Sequence, residues 1–284
     1  MEFHIASSTE EVCGLLAEDP TREILAGGTD FMVEVNFRHK DPSAVIAIDR
    51  VPELKQWKHD GDAISIGSCV TYREIERGPL STIVPALAQS ARTVGSPQIR
   101  NVATIGGNLG TASPAGDMIP VLLALDAKVA IRSIEGSREI SIDELITGVK
   151  ETSLANNEFI EAIKVPILNG PQEFLKVGPR NAMVISIASL AMVTDPERST
   201  IAIALGSVTA APSRAREAEV YIQDFLDWST MTVNSSSLPN FRRLVGEASS
   251  PITDHRSSAA YREHAVGVLG QRALLRMFEL RDDG

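Results

Sequence analysis

The chain has 284 residues, 43% of them hydrophobic and 23% charged, enough for an ordinary buried core spread over one large domain or two to three lobes. Its net charge of −10 argues against a nucleic-acid partner, because phosphate backbones reward clustered Lys and Arg. Cys13 and Cys69 supply too few thiolates for an iron–sulfur cluster or a Cys-rich zinc site. They read as reduced thiols of a cytoplasmic protein, a disulfide between them being the less usual alternative. No secretory pattern follows Met1-Glu2-Phe3-His4, and the longest apolar runs, such as residues 119–125, fall far short of a membrane span. The expectation is a cytoplasmic protein without an integral membrane segment.

Residues 9–16 read as a helix with Ser8 as N-cap and residues 23–26 as a short strand; Gly27-Gly28 then breaks the chain before a second helix, Phe31–Asn36. Residues 44–48 form a strand-like apolar run ending at Asp49, and residues 52–54 a turn or helical start. A second unit begins near Asp60-Gly61. In it Ala63–Gly67 is strand-like, Thr71 caps a helix start running to Glu76, and residues 85–91 are helical by composition. Residues 99–116 are rich in Gly, Ser, Thr and Asn and read as a long loop between well-formed elements, which usually signals function. Residues 117–125 are a helix candidate. Residues 128–134 and 138–142 flank Glu135-Gly136-Ser137 as a hairpin.

Residues 166–171, with two prolines, Asn169 and Gly170, are the best boundary. Beyond it, residues 173–177, 186–193 and 201–208 follow one another as strands of an antiparallel sheet. Residues 234–237 read only as a polar loop. The chain closes in helices, with Tyr261, Ala265, Val268 and Leu269 on one face. No internal repeat is present.

Two segments carry chemistry. Leu25, Ala26, Gly27, Gly28, Thr29, Asp30 and Phe31 place paired glycines between a strand and a helix. Glycine lets main-chain N–H groups approach a ligand closely, and a helix start adds unpaired donors and a favourable field, so a pyrophosphate can be held without lysine. A plain strand-to-helix turn capped by Thr29 or Asp30 is the simpler alternative. Thr104, Ile105, Gly106, Gly107 and Asn108, continuing through Ser113 to Asp117, repeat the pattern and suggest a long ligand cradled between lobes. Neither segment fits a P-loop or a Rossmann fingerprint. Asp117 is either an ordinary N-cap or an acceptor for a ligand's ribose or ribityl hydroxyl. The histidines, His4, His39, His59, His255 and His264, form no metal-ligand spacing, and no metal site is expected.

The stretches LAGGTD (25–30) and IRNVATIGGNLGTASPAGD (99–117) resemble the FAD-binding medium subunit of the molybdenum hydroxylases, the family of xanthine and carbon monoxide dehydrogenases. FLKVGPRNAMVISIASLAM (174–192) and SPITDHRSSAAYREHAVGVLGQRAL (250–274) extend the resemblance over nearly the whole chain. It implies an α+β fold. A two-lobed FAD-binding domain of the vanillyl-alcohol-oxidase (PCMH) type would occupy residues 1–168, with lobes of about 1–57 and 58–168. A C-terminal antiparallel sheet with helices, of the CO dehydrogenase flavoprotein type, would occupy residues 169–284. FAD would lie between the lobes, with 25–31 around its pyrophosphate, 104–108 as a second clamp, Asp117 further along, and Ile160 and Lys176 near the flavin. From the residues alone, Ile160 also reads as a strand core residue and Lys176 as a solvated sheet-edge lysine.

The resemblance further implies an electron-transfer subunit without catalytic side chains of its own. Its partners would be a 2Fe-2S small subunit and a molybdopterin large subunit, assembled as a dimer of heterotrimers, and electrons would leave to NAD or another acceptor. The FAD is expected to be non-covalent, since nothing marks Cys69, the one nucleophile near a plausible lobe, as activated. A stand-alone flavin oxidoreductase of the same fold, or a non-catalytic binding or assembly protein, are the alternatives.

Overall fold

The first sheet of the chain is parallel and the larger ones that follow are antiparallel; the computed structural model describes residues 2–281. The chain opens with β1 (Glu2–Ile5), α1 (Thr9–Glu18), β2 (Glu23–Leu25), α2 (Phe31–Asn36) and β3 (Ala44–Ala47), the strands pairing in the order β1-β3-β2. Ser8 starts α1, its hydroxyl accepting from the Glu11 N–H at 3.1 Å. Every residue of β3 is buried, as the middle strand of a covered parallel sheet requires. By contrast α2 buries none of its side chains.

After a single 3-10 turn at Pro52–Lys55 come β4 (Trp57–Asp60) and β5 (Ala63–Gly67). A run of short helices follows: α3 (Tyr72–Arg77), α4 (Leu80–Ile83), α5 (Pro85–Thr93), α6 (Pro97–Arg100), α7 (Ile105–Thr111) and α8 (Met118–Ala124). The hairpin β6 (Lys128–Ser133) and β7 (Gly136–Ser141), helix α9 (Ile142–Leu145), a small hairpin of β8 (Ile146–Gly148) and β9 (Glu151–Thr152), and β10 (Phe159–Pro166) complete this part. Its sheet has the order β4-β5-β10-β6-β7 with every pairing antiparallel. Period-two alternation sends Ile64, Ile66, Val129, Ile131, Ile163 and Val165 into one core with the helices. At its centre lies α8, all of whose residues are buried.

The remainder is a sheet of β11 (Gln172–Val177), β12 (Ala188–Asp195), β13 (Thr200–Gly206) and β14 (Ser213–Arg214), antiparallel and in sequence order. Then follow α10 (Arg216–Gln223), β15 (Leu226–Asp227), β16 (Thr232–Asn234), α11 (Leu238–Glu247), α12 (Ala259–Met277) and β17 (Glu279–Arg281). Leu190, Met192 and Ile203 of the sheet share a second core with Phe241, Val245, Val266 and Leu274 of the last two long helices.

Residues 99–116 are not a long loop: α6 and α7 occupy much of the stretch, and the Thr104 hydroxyl caps α7 by accepting from the Gly107 N–H at 3.0 Å. Glycine is a poor helix former, but tertiary contact overrides propensity here. A Cβ on Gly106 would lie 2.4 Å from the Ser68 Cβ, so the helix can pack at this distance only with glycine. The face predicted for α12 is rotated: Tyr261 is 48% exposed, whereas Arg262, Ala265, Val266 and Leu269 are buried. Nor are residues 234–237 merely a polar loop, since the Asn234 side chain caps a 3-10 turn and Ser237 is wholly buried. Both cysteines are free and buried. Among the described residues no helix is long and apolar enough to cross a membrane.

Candidate cofactor site

The first segment leaves β2 where the Ile48 N–H closes on the Leu25 carbonyl at 2.9 Å. Gly27 then presses main chain against main chain. A Cβ there would lie 1.8 Å from the Val102 carbonyl oxygen, so this turn abuts the residues that lead into α7. Gly28 takes a φ of +69°. Met32 and Val33 donate back to the Gly28 and Asp30 carbonyls at 3.0 and 2.9 Å. Among the described residues, the N–H groups of Gly27, Gly28, Thr29, Asp30 and Phe31 meet no acceptor. Asp30 stands at the N-cap of α2, yet its carboxylate caps nothing. The plain capped turn is therefore not what forms here. A run of unpaired main-chain donors at a helix start is an anion-binding arrangement.

The second segment does not repeat that solution. At the start of α7, Ile105 donates to Val70 O at 3.1 Å, Gly106 to Ser68 O at 2.9 Å, and Asn108 to Thr104 O at 3.1 Å; Gly107 is taken by the Thr104 hydroxyl. Gly106 here serves close packing, and the N–H groups of residues 105–108 are all taken. What α7 offers instead is its side. Gly107, Gly110 and Thr111, at i, i+3 and i+4, share a partly exposed face without bulk. Asn108 points its Nδ2 toward Gly116, and its buried Oδ1 has no hydrogen-bond partner among the described residues. The Ser113 hydroxyl accepts from the Ala115 N–H at 3.3 Å and shapes the turn before Asp117.

Asp117 opens α8 without capping it. Its side chain is 5% exposed and accepts from Lys176 Nζ at 2.5 Å, Ser186 Oγ at 2.5 Å and Thr93 Oγ1 at 3.4 Å. Burial pushes the carboxyl above its usual pKa, opposed chiefly by the Lys176 ammonium. Lys176 is thus no solvated edge lysine: its side chain is 8% exposed, and it also donates to the Thr93 carbonyl at 3.2 Å. A lysine has three N–H donors, so one is left over. Burial pushes the Tyr72 hydroxyl up, the nearby Asp117 adds to this, and Asn108 acts in the opposite sense. Asp117 joins the glycine-rich part of the chain to the C-terminal sheet, because Lys176 comes from β11 and Ser186 from the approach to β12.

Ile160 packs in the core of the five-stranded sheet, beside the irregularity between it and Ala162, as its apolar alternation predicts. Cys69 is buried, its thiol pushed up to about 12 by desolvation, which leaves it a poor nucleophile. His39 is exposed and pairs with Glu34 at 3.3 Å. Thr93, Ser186 and Tyr72 carry no local sequence signal; only the fold brings them to Asp117.

Comparison with known proteins identifies both parts of the chain. A family model described as the FAD binding domain in molybdopterin dehydrogenase matches residues 1–168, and one for the CO dehydrogenase flavoprotein C-terminal domain matches 173–277. The glyceraldehyde dehydrogenase medium chain of Sulfolobus acidocaldarius is 30% identical over 272 residues, covering 94% of this chain and 95% of that one. The nicotinate dehydrogenase FAD-subunit of Eubacterium barkeri is 36% identical over 194 residues, 66% of each chain. Among solved structures, quinoline 2-oxidoreductase from Pseudomonas putida 86 superposes with a TM-score of 0.88 at 26% identity, over 98% of this chain and 96% of that one.

Proposed function

The chain belongs to the FAD-binding subunits of the molybdopterin hydroxylase family, and on that premise we propose that it is the middle carrier of its complex, taking electrons from a 2Fe-2S subunit and passing them to NAD or another acceptor. FAD binding and electron transfer within such an oxidoreductase are the family's role. The observation that supports the cofactor reading most directly is the run of unpaired N–H groups from Gly27 to Phe31. Those donors would hold the pyrophosphate, and Leu25 and Ala26 would set the turn that presents them.

From there the cofactor would run along the bare side of α7, whose seven residues span about 10 Å at the helical rise. Thr104 to Asn108 would act through that smooth face rather than through a second set of free donors. At the far end, Lys176 would offer its remaining N–H to the flavin end. Asp117 fixes that lysine in place, and Ser186 and Thr93 hold Asp117. Asp117 would therefore serve the cofactor through Lys176, since its carboxylate is already engaged by protein donors. Ser113 would shape the intervening turn, and Ile160 would back the sheet beneath it. Bound FAD supplies the capacity to gather electrons singly and release them in pairs, which no side chain of this protein has. Its attachment would be non-covalent, given the unreactive state of Cys69.

Exposed apolar side chains border the same segments: Met32 and Val33 on α2, Phe37 at its end, Ile99 on α6 and Val102 just after it. A carrier that exchanges electrons between chains needs such a surface near its cofactor. The iron–sulfur and molybdopterin chains would be separate subunits, assembled as a dimer of heterotrimers, with the substrate bound on the molybdopterin chain. Copurification with cofactor and metal analysis tests this reading. FAD, iron and molybdenum in fixed ratio to this chain support it; a lone chain that turns over substrate without iron or molybdenum would overturn it.

A further inference from the structure

Lys150 lies in the turn between β8 and β9, with a φ of +59°, a left-handed conformation uncommon for a residue with a side chain. One residue there reaches two places. Its N–H donates to the Ala112 carbonyl at 3.0 Å, and Ala112, itself left-handed at φ +48°, is the C-cap of α7. Its ammonium pairs with Glu34 of α2 and lies 3.8 Å from the Asp30 carboxylate. Glu34 and Lys150 are 116 residues apart in sequence, so the contact belongs to the tertiary fold.

Besides Lys150, α2 is held by Lys40, whose ammonium lies 5.7 Å from the Phe31 ring centroid and pairs with Glu23 of β2. α2 buries no side chain, and Met32, Val33 and Phe37 face outward. Hydrophobic packing, the usual anchor of a short helix, is missing. Yet α2 follows directly on the Gly27–Phe31 donors, and any drift of the helix moves them. Among the described residues Glu34 also meets His39 at 3.3 Å, which lies just beyond α2 and so cannot tie the helix to another part of the chain.

We propose that Lys150 is a positioning residue that straps α2, and with it the Gly27–Phe31 main chain, to the end of α7, fixing the spacing of the two halves of the FAD cradle. This rests on the FAD reading above. Lys150 acts through Glu34 and Asp30, and its hold is electrostatic, half exposed and open to screening by salt.

The test is the rate of FAD release from the full-length holoprotein, followed by recovery of free-flavin fluorescence at low and high salt. Lys150→Met should release FAD about three- to tenfold faster at low salt, the scale of one or two exposed ion pairs. The difference should fade at high salt, and Lys150→Arg should restore most of the wild-type rate. Glu34→Gln should act in the same direction, and the double variant should be no worse than Lys150→Met alone. A Lys150→Met protein that keeps FAD within twofold of wild type, shows the same change at all salt concentrations, or adds its effect independently to that of Glu34→Gln overturns the strap. Wild-type protein that takes up no FAD at all would instead sink the cofactor reading itself, before any variant is compared.

Discussion

Replacing Gly27 by alanine tests the cradle where it has least room. The new Cβ would start 1.8 Å from the Val102 carbonyl oxygen and 2.6 Å from its carbon, against a closest tolerable approach of about 3 Å. The two main chains must therefore part by roughly 1 Å. Overpacking of this kind costs about 1–3 kcal/mol, and here it displaces the donors proposed to hold the pyrophosphate. At 1.4 kcal/mol for each factor of ten, FAD affinity should fall by about tenfold to a hundredfold. The assay is a titration of FAD-stripped protein by flavin fluorescence, run beside a thermal melt. Gly14→Ala is the control: nothing lies within 4 Å of its added Cβ, and it sits inside α1. It should stabilise the protein by up to about 1 kcal/mol and leave FAD binding alone. Gly27→Ala protein that binds FAD within twofold of wild type would refute the reasoning.

Three further outcomes are expected. Lys176→Met leaves Asp117 buried without its counter-ion and should cost about 3–5 kcal/mol in urea denaturation near neutral pH, with part recovered in the Lys176→Met, Asp117→Asn double variant; a loss below about 1 kcal/mol would contradict the buried pair. Asp254 is drawn from 3.8 to about 2, chiefly by its hydrogen bond from Arg262. Its folded pKa is depressed, so its contribution is whole above about pH 4 and is lost as the pH falls toward 2. Asp254→Asn should flatten the fall of stability across that window, and curves parallel to wild type would argue against it. Burial raises both thiols, Cys69 to about 12, so a thiol-specific reagent should find neither in the native protein within minutes and both after denaturation. Rapid native labelling of one thiol would show that the buried environment is wrong.

Much of the scaffold was legible in the residues. Ser8, Thr71 and the apolar alternation of residues 63–67 and 173–177 are local signals, and the elements they announce form close to where they stand. Residues 99–116 misled because glycine weighs against a helix in isolation, whereas Gly106 is demanded by the backbone of Ser68. The two glycine segments look alike in sequence but differ in hydrogen bonding. Thr104 and the Ser68 and Val70 carbonyls consume the donors of one, and among the described residues nothing consumes those of the other. Lys176 looked like a surface residue because alternation cannot reveal that Asp117, 59 residues away, waits beneath it. β1, β4, α10 and α11 were not read in advance; the two strands are short and carry charged or polar residues, whereas α11 does show a helical signal, burying Leu238, Phe241 and Val245 at i, i+3 and i+7.

The central claim is that this chain carries electrons through FAD held at Gly27–Phe31 and Lys176, between a molybdopterin chain that takes them from substrate and an acceptor outside. Anaerobic addition of substrate to the purified complex, with no acceptor present, tests it most directly. One FAD per chain should be present, and its visible absorption should bleach; stripping the FAD should abolish acceptor reduction while the molybdenum centre is still reduced. A complex that reduces its acceptor at an undiminished rate after FAD is removed would contradict the account.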